Sequence, residues 1–196
     1  RPEVAVRAEL DGVEDVLVRL GDREDDHLHA RQLLAGPGHG RAQLHAAHDV
    51  VDLLKADIER ASLASIANTL RWVQELLNFW SEETPTALQS GGLGVRDLKK
   101  ASEHLGVDEA CTAFIAELSY LSGILSVEAD GRILPSTLFD LWQNKEPEDQ
   151  WRELVSLWKV TSRVAGLVGR TDSRHITALG TELDRSNAAL IRTLVL

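Results

Sequence analysis

The sequence predicts a mainly α-helical protein with a small β-hairpin wing, in which a winged helix-turn-helix unit packs on a long helix and on C-terminal helices. Three features predict this class. Apolar residues recur at helical spacing along most of the chain, glycines interrupt that spacing at Gly106 and Gly123, and Asp130-Gly131 separates two β-prone runs. The order of helix, turn, helix and two-stranded ribbon places the unit at about residues 88–135.

Glycines delimit both helices of the predicted unit. The first helix follows the cluster Gly91-Gly92-Leu93-Gly94 and ends at Gly106, with apolar positions at Val95, Leu98, Ala101 and Leu105. The second helix begins near Asp108 and Glu109, because acidic side chains stabilise a helix N-terminus, and it ends at Gly123. One apolar stripe of the second helix is predicted to face the first helix: Val107, Ala110, Phe114, Leu118 and Leu121.

The predicted wing is a short hairpin. Ile124 to Val127 and Arg132 to Leu134 are β-prone, and Gly131 tolerates the positive φ that a tight hairpin turn requires. We therefore expect a left-handed backbone conformation at Gly131.

Composition limits the range of functions. The 196 residues carry a formal net charge of -10 and a pI near 5.1, so the field of the whole chain repels nucleic acid and anionic membranes. No apolar run reaches the length of a membrane span, and the single cysteine, Cys111, is typical of a small buried residue in a reducing compartment. We expect a cytoplasmic protein without membrane contact. A chain that begins Arg1-Pro2 and contains no methionine is expected to be a fragment of a longer polypeptide.

The first 49 residues differ from the remainder, so a boundary is predicted between residues 1–49 and a helical domain at 50–196. Alternating apolar residues from Val4 to Leu20, around Asp11-Gly12, suggest a hairpin, and a helix from about Val13 to Leu20 is the alternative. The segment from Gly21 to His48 is rich in Asp, His, Gly and Arg and is typical of a connector.

Histidines concentrate in this connector, at positions 27, 29, 39, 45 and 48. A zinc site is one interpretation, since His45 and His48 would share a helix face, and a solvated polar loop is the other. The region has no cysteine and no fixed carboxylate spacing, so we predict no metal. The glycine-rich GPGHGR at residues 36–41 matches neither nucleotide-binding glycine pattern, and we predict no cofactor.

The strongest helical periodicity lies between residues 63 and 80. It is an a/d stripe formed by Leu63, Ile66, Leu70, Val73, Leu77 and Trp80, which Trp72, Leu76 and Phe79 widen. A stripe of this width favours burial against the winged unit, and dimerisation is the alternative. A second helical segment precedes it, from Val50 to Ile58.

Further helices are predicted after the wing. Ser136 or Thr137 suits the N-cap of a short helix, and Pro147 suits the first position of the next. Trp142, Trp151 and Trp158 at helical spacing favour core positions over a base-stacking platform. A glycine-containing loop from Ala165 to Arg174 and a last helix to Leu196, opened by a shortened capping box of Thr181 and Asp184, complete the chain.

Three segments carry a family resemblance: GGLGVRDLKKASEHLGVDEA (residues 91–110), ILPSTLFDLW (133–142), and TSRVAGLVGR with ELDRSNAALIRTLVL (161–170 and 182–196). Together they resemble the bacterial helicase-associated proteins that share a domain with the N-terminal part of XPB-type helicases. The resemblance covers about Val50 to Leu196. It implies a mostly helical fold and a role in DNA transactions, and it supplies no catalytic residue.

Two functions from different classes are compatible with these observations, and neither is catalytic, because no phosphate loop or nucleophile arrangement is present in this fragment. The first is a helicase-associated accessory module that binds DNA phosphates weakly and without sequence preference, through Arg96, Lys99, Lys100 and Arg132. The second is a protein-interaction or scaffolding module that docks a partner or another part of a longer parent chain. The second helix is predicted to expose acidic and polar residues, which disfavours groove reading: Asp108, Glu109, Thr112 and Glu117.

Overall fold

The computed structural model describes residues 40–169 and 175–195, with side chains from residue 52 onward. The described residues form six α-helices: α1 Gly40–Glu82, α2 Val95–Leu105, α3 Glu109–Leu121, α4 Thr137–Gln143, α5 Pro147–Val160 and α6 Ala188–Val195. Strands β1 (Leu125–Val127) and β2 (Ile133–Pro135) form one antiparallel hairpin, and 3₁₀ turns lie at Ala165–Leu167 and Thr181–Leu183. The prediction of a mainly α protein with a small β-hairpin is confirmed.

Helix α1 is longer than predicted. It joins the two separate helical segments expected at Val50 and Leu63 and runs without a break across the predicted boundary between residues 49 and 50. The hairpin or helix predicted between Val4 and Leu20 lies outside the described residues, as does most of the connector. Residues from Ala67 onward belong to one compact unit, and the earlier part of α1 belongs to another.

The apolar stripe of α1 is buried only in its C-terminal half. Leu70, Val73, Leu77 and Trp80 are at most 6% exposed, as the burial interpretation predicted. Leu63, by contrast, is 66% exposed, which corrects the prediction for the first turns of the stripe. The physical reason is that helical periodicity marks one face along the whole helix, whereas burial requires another element to pack against it.

Glycine and aspartate form the turn between α2 and α3 as the sequence predicted. Gly106 ends α2 with φ +68°, and its N–H donates to the Ser102 carbonyl. The Asp108 carboxylate caps α3 by accepting the Cys111 N–H at 2.7 Å. Helix α3 contacts α2, β1, α5 and the Ala165–Leu167 turn, so it is the central helix of this unit.

The hairpin gains a third segment that the sequence analysis did not anticipate. Gly131 has φ +86°, which confirms the predicted turn, and Val127 pairs with Ile133 in register. On the other side of β2, Thr86 forms an antiparallel bridge with Arg132, and the Ile133 N–H donates to the Pro85 carbonyl at 2.9 Å. The chain between α1 and α2 therefore lies along the hairpin.

Helices α4 and α5 are joined by a buried amide. Ser136 caps α4 through its hydroxyl, and Pro147 opens α5, both as predicted. The Gln150 amide donates to the carbonyls of Trp142 and Lys145, each at 3.1 Å, and so satisfies the C-terminal end of α4. Trp142 is 1% exposed, which supports the core interpretation of this tryptophan.

The C-terminal part differs from the prediction in one respect. The predicted last helix is confined to Ala188–Val195, and Thr181–Leu183 forms a separate 3₁₀ turn. Within the described residues, no helix has both the length and the apolarity needed to cross a membrane.

Candidate interaction surface

The glycine cluster before α2 packs against a distant loop at residues 177–180. Gly92 has φ +81°, and a Cβ at this position would lie 2.3 Å from Thr177 Oγ1 and 2.8 Å from the Ala178 carbonyl oxygen. The Leu93 N–H donates to the same Ala178 carbonyl at 2.7 Å. Only glycine allows this close approach of two backbones.

A buried ion pair lies beneath the same loop. The Arg163 guanidinium donates to Glu117 through Nε at 2.6 Å and through Nη2 at 3.0 Å. The Glu117 carboxylate also accepts the N–H of Leu179, at 2.5 Å, and Leu179 has a positive φ of 61°. Burial acts to lower the pKa of Arg163, but the hydrogen bonds and the negative charge of Glu117 outweigh it and raise that pKa.

Two further contacts fix the segment that carries Arg163. Asp184 accepts a hydrogen bond from the Ser162 hydroxyl at 2.6 Å and lies 3.8 Å from the Arg163 guanidinium. Arg192 of α6 donates to the carbonyls of Thr161 at 2.7 Å and Trp158 at 3.1 Å, which closes the C-terminal end of α5. The inner side of α3 is therefore covered by a network that joins α3, α5, α6 and the 177–180 loop.

This arrangement corrects the predicted surface of α3. Asp108 and Glu109 are exposed as predicted, whereas Thr112 is fully buried and Glu117 is 2% exposed. The physical reason for the error is that Glu117 has a buried cationic partner 46 residues away in sequence, which local periodicity cannot reveal.

Helix α3 is buried around most of its circumference. Of the stripe predicted to face α2, Leu118 is buried and Ala110 is exposed, and three members are half-buried: Val107, Phe114 and Leu121. Phe114 and Leu121 lie at spacings of three and four from the buried Glu117 and Leu118, so these four residues share one side of the helix. The central turns of the stripe are therefore covered.

Two leucines of α4 are exposed, and one of them approaches the turn after α3. Leu138 is 49% exposed and Leu141 is 66% exposed, and their spacing of three places them on one side of α4. The Leu138 Cδ1 atom lies 3.4 Å from the position of a Cβ on Gly123, two residues after Leu121. The Ser136 hydroxyl donates to the Gly123 carbonyl at 2.5 Å and holds the start of α4 there.

The four cations predicted to contact DNA are exposed, but three of them face carboxylates. Lys100 pairs with Glu83, and Lys99 lies 4.0 Å from Glu103. Arg132 donates to Asp130 at 2.7 Å, and this hydrogen bond holds the pKa of Asp130 below its usual value. Arg96 alone of the four has no hydrogen bond or ion pair within the described part of the chain. The predicted basic site is therefore largely neutralised.

A cleft of about 260 Å³ lies next to Lys100. The Lys100 ammonium is 5.9 Å from the centroid of the Phe79 ring. The His104 ring stacks on the same Phe79 ring, with 4.2 Å between the two centroids. The cleft is lined by Phe79, Trp80, Glu83, Thr84, Pro85, Asp97 and Lys100. Two carboxylates and one paired ammonium give it no net positive character, so it does not suit a phosphate group.

The structure bears on two chemical alternatives, a nucleophilic cysteine and a metal site. Burial, with the nearby charge of Asp108, raises the pKa of the Cys111 thiol to about 11, which makes it a poor nucleophile at neutral pH. Across residues 52–169 and 175–195, no group of three or more His, Cys, Asp or Glu side chains could hold a metal ion. The histidines of the connector lie outside these side chains, so the absence of a metal there stays a prediction.

Sequence reasoning missed the residues that form the buried network: Glu117, Arg163, Thr177 and Asp184. A carboxylate between Ala116 and Leu118 on an apolar helix was a usable signal, because an ionised side chain at a core position requires a partner. Arg163 lies within the TSR segment that carries the resemblance, but nothing local connects it with Glu117.

Comparisons of the chain with protein-family models, with curated proteins and with solved structures return no match. The resemblance to helicase-associated proteins rests on the sequence segments alone.

Proposed function

We propose that the unit from Ala67 onward is a winged helix-turn-helix module whose role is to dock a protein rather than to read DNA or catalyse a reaction. The order α2, turn, α3, β1, β2 supports the winged assignment. The bridge between Thr86 and Arg132 adds to this support, because it pairs the segment before α2 with the hairpin, as a short strand before the helix-turn-helix pairs with the wing of a winged unit.

The observation that carries the docking role is the charge and burial of α3. In a DNA-reading unit the second helix of the helix-turn-helix presents polar or basic side chains to base edges and phosphates. Here seven of the thirteen residues of α3 are buried, and the exposed side chains at its N-terminal end include the carboxylates of Asp108 and Glu109. Leu138 and Leu141 of α4 are exposed, and accessible apolar side chains on an otherwise well-packed unit favour a protein interface.

Weak contact with DNA phosphates is the second candidate. Exposed Arg96 favours it, since this cation has no carboxylate to displace among the described residues. The pairing of Lys99, Lys100 and Arg132 with carboxylates disfavours it, because binding a phosphate would require breaking each pair.

The helicase-associated context is part of the same proposal. Two of the segments that carry the resemblance contact each other, because the Ser162 hydroxyl donates to Asp184 and Arg163 forms an antiparallel bridge with the same residue. The first segment contacts the 177–180 loop through Gly92 and Leu93. These contacts support a packing role for the segments. We propose that this module binds another component of a DNA-processing assembly.

Site-specific photo-crosslinking tests the docking role. The full chain, produced in its host cells with a benzophenone amino acid in place of Leu141, which is 66% exposed, is irradiated and compared with the same substitution at Ser156, which is exposed on α5. We expect nuclease-resistant adducts to a discrete protein at position 141 only. Adducts that nuclease removes, or identical adducts at both positions, would contradict the proposal.

A DNA titration tests the second candidate. We expect the full chain to bind random and mixed-sequence duplexes weakly, with a log-log salt slope shallower than roughly -3.6, the value for four phosphate contacts at about -0.9 each. Fluorescence anisotropy from low to moderate salt measures this slope. Submicromolar, sequence-selective binding at physiological salt that survives Lys99→Ala and Lys100→Ala would overturn the docking assignment.

A further inference from the structure

The cleft beside Lys100 is small and has apolar walls. Phe79, Trp80 and Pro85 line it, and of these Trp80 and Pro85 are buried and Phe79 is half-buried. Its volume of about 260 Å³ lies below the range of roughly 300–1,000 Å³ that is typical of pockets for drug-sized ligands. The size therefore suits a single side chain or a group of similar size.

The charges that line the cleft are negative in sum. Glu83 and Asp97 contribute two carboxylates and Lys100 contributes one ammonium, which leaves one net negative charge. Lys100 pairs with Glu83. Asp97 is half-buried and has no hydrogen bond or ion pair with any residue that the structure describes. A half-buried carboxylate without a partner favours a cation as its ligand.

The end of α1 at the cleft favours a cation as well. The last turn of α1, which ends at Glu82, contains no basic residue. Carbonyl groups at the C-terminal end of a helix carry partial negative charge, which a cation stabilises. The Phe79 ring in this turn already attracts one cation, since the Lys100 ammonium lies 5.9 Å from its centroid. The helix end and the ring thus favour positive charge independently of Asp97.

From this combination we propose that the cleft beside Lys100 binds a guanidinium group, presented by an arginine side chain of a protein partner. The Asp97 carboxylate would accept two N–H groups of the guanidinium, and Phe79 and Pro85 would cover its apolar faces. A guanidinium suits this cleft better than an ammonium, because it is planar, more weakly hydrated and able to form two parallel hydrogen bonds with one carboxylate. The proposal rests on the proposed docking function for the source of the arginine, but other residues form the site.

Two other cations are poorer occupants of the cleft. A metal ion such as Ca²⁺ takes six to eight oxygen ligands, and among the described side chains no three His, Cys, Asp or Glu residues converge. Free arginine carries an α-carboxylate, which the net negative charge of the lining residues would repel. An arginine within a peptide chain has no such group.

The test uses three short peptides with blocked ends, titrated into the ¹⁵N-labelled full chain. They are identical except for one central residue, which is arginine, lysine or citrulline, the neutral isostere of arginine. We expect the arginine peptide to shift the amide signals of residues 79–84 and 94–100 in a saturable manner, with at least threefold weaker binding of the lysine peptide and no binding of citrulline. Equal shifts by the citrulline peptide would overturn the proposal, and binding of free arginine as tight as that of the peptide would overturn the protein partner as its source.

Matched variants of α2 localise the binding. Asp97→Asn and Glu103→Gln each change one carboxylate of this helix to an amide, so their effects on net charge are the same. We expect Asp97→Asn to weaken binding of the arginine peptide about tenfold and Glu103→Gln to change it less than about twofold. Asp97→Glu keeps the charge and should still discriminate arginine from citrulline, and the same spectra report whether each variant is folded. Equal loss in the Asn and Gln variants would contradict a site at Asp97.

The outcomes separate this proposal from the proposed function. Absence of shifts with the arginine peptide overturns the guanidinium site, while protein adducts at position 141 leave the docking role intact. Binding of the arginine peptide without such adducts retains the guanidinium site and contradicts the docking role.

Discussion

Glu117 and Arg163 form a two-bond ion pair that connects the central helix to the segment after α5. Their side chains are 3% and 12% exposed, respectively. The Glu117 carboxylate also accepts the N–H of Leu179. Buried ion pairs add little net stability compared with apolar residues, but removing one member leaves an uncompensated charge. This pair therefore fixes the orientation of α3 relative to Arg163 and the 177–180 loop.

Glu117→Ala is expected to destabilise the protein by about 3 kcal/mol or more, because Arg163 would lose its buried partner and Leu179 would lose an acceptor. Urea unfolding followed by tryptophan fluorescence measures the change. Glu103→Ala is the control, since Glu103 faces Lys99 at 4.0 Å on the surface and should change stability by less than about 0.5 kcal/mol. Equal effects of the two substitutions would show that the Glu117 pair is not structurally important.

Gly92→Ala should destabilise the protein more than Gly91→Ala. Both glycines have positive φ, at +81° and +89°, so both substitutions incur backbone strain of about 1 kcal/mol. At Gly92 the new methyl group would also overlap Thr177 Oγ1 and the Ala178 carbonyl, whereas at Gly91 no atom lies within 4 Å. Thermal unfolding of the two variants and of the unsubstituted protein measures the difference. Equal melting temperatures of the two variants would contradict the close backbone approach at Gly92.

Gly131→Val is expected to cost on the order of 1 kcal/mol or more, because a β-branched residue is strained at φ +86°. Gly131→Asn is the control, since asparagine tolerates the left-handed region. Space does not limit either substitution, because the nearest atom to a Cβ is Thr86 Cγ2 at an ordinary 3.6 Å. An unchanged melting temperature for the valine variant would count against the hairpin.

Cys111 is expected to react slowly with alkylating reagents until the pH approaches about 11, its raised pKa in the folded chain. In urea the same thiol should ionise near its ordinary pKa of 9.0, so the two rate profiles should separate between these values. Because the folded pKa is the higher one, the stability from the neutral thiol is complete below about pH 9 and is lost as pH rises towards 11. Rates of iodoacetamide alkylation with and without urea measure the difference, and identical profiles would exclude burial of the thiol.

The local architecture between α1 and α5 follows from neighbouring residues. Gly106 and Gly131 adopt positive φ, and Asp108 and Ser136 cap helices, because these conformations depend on hydrogen bonds and sterics within a few residues. A reader of the sequence can therefore predict the order of helix, turn, helix and hairpin. The pairing of Thr86 with Arg132 escapes such reasoning, since a single bridge leaves no periodic pattern.

The surface that carries the proposed function was decided by tertiary structure. The sequence predicts an exposed Glu117 on the surface of α3, but its long-range pairing with Arg163 buries it. In the same way, the sequence predicts that Lys100 is a cation available to DNA. In the structure it pairs with Glu83, which is 17 residues away in the chain. Local sequence determines backbone conformation because its interactions are short-range, whereas exposure and net local charge depend on contacts between residues that are distant in the chain.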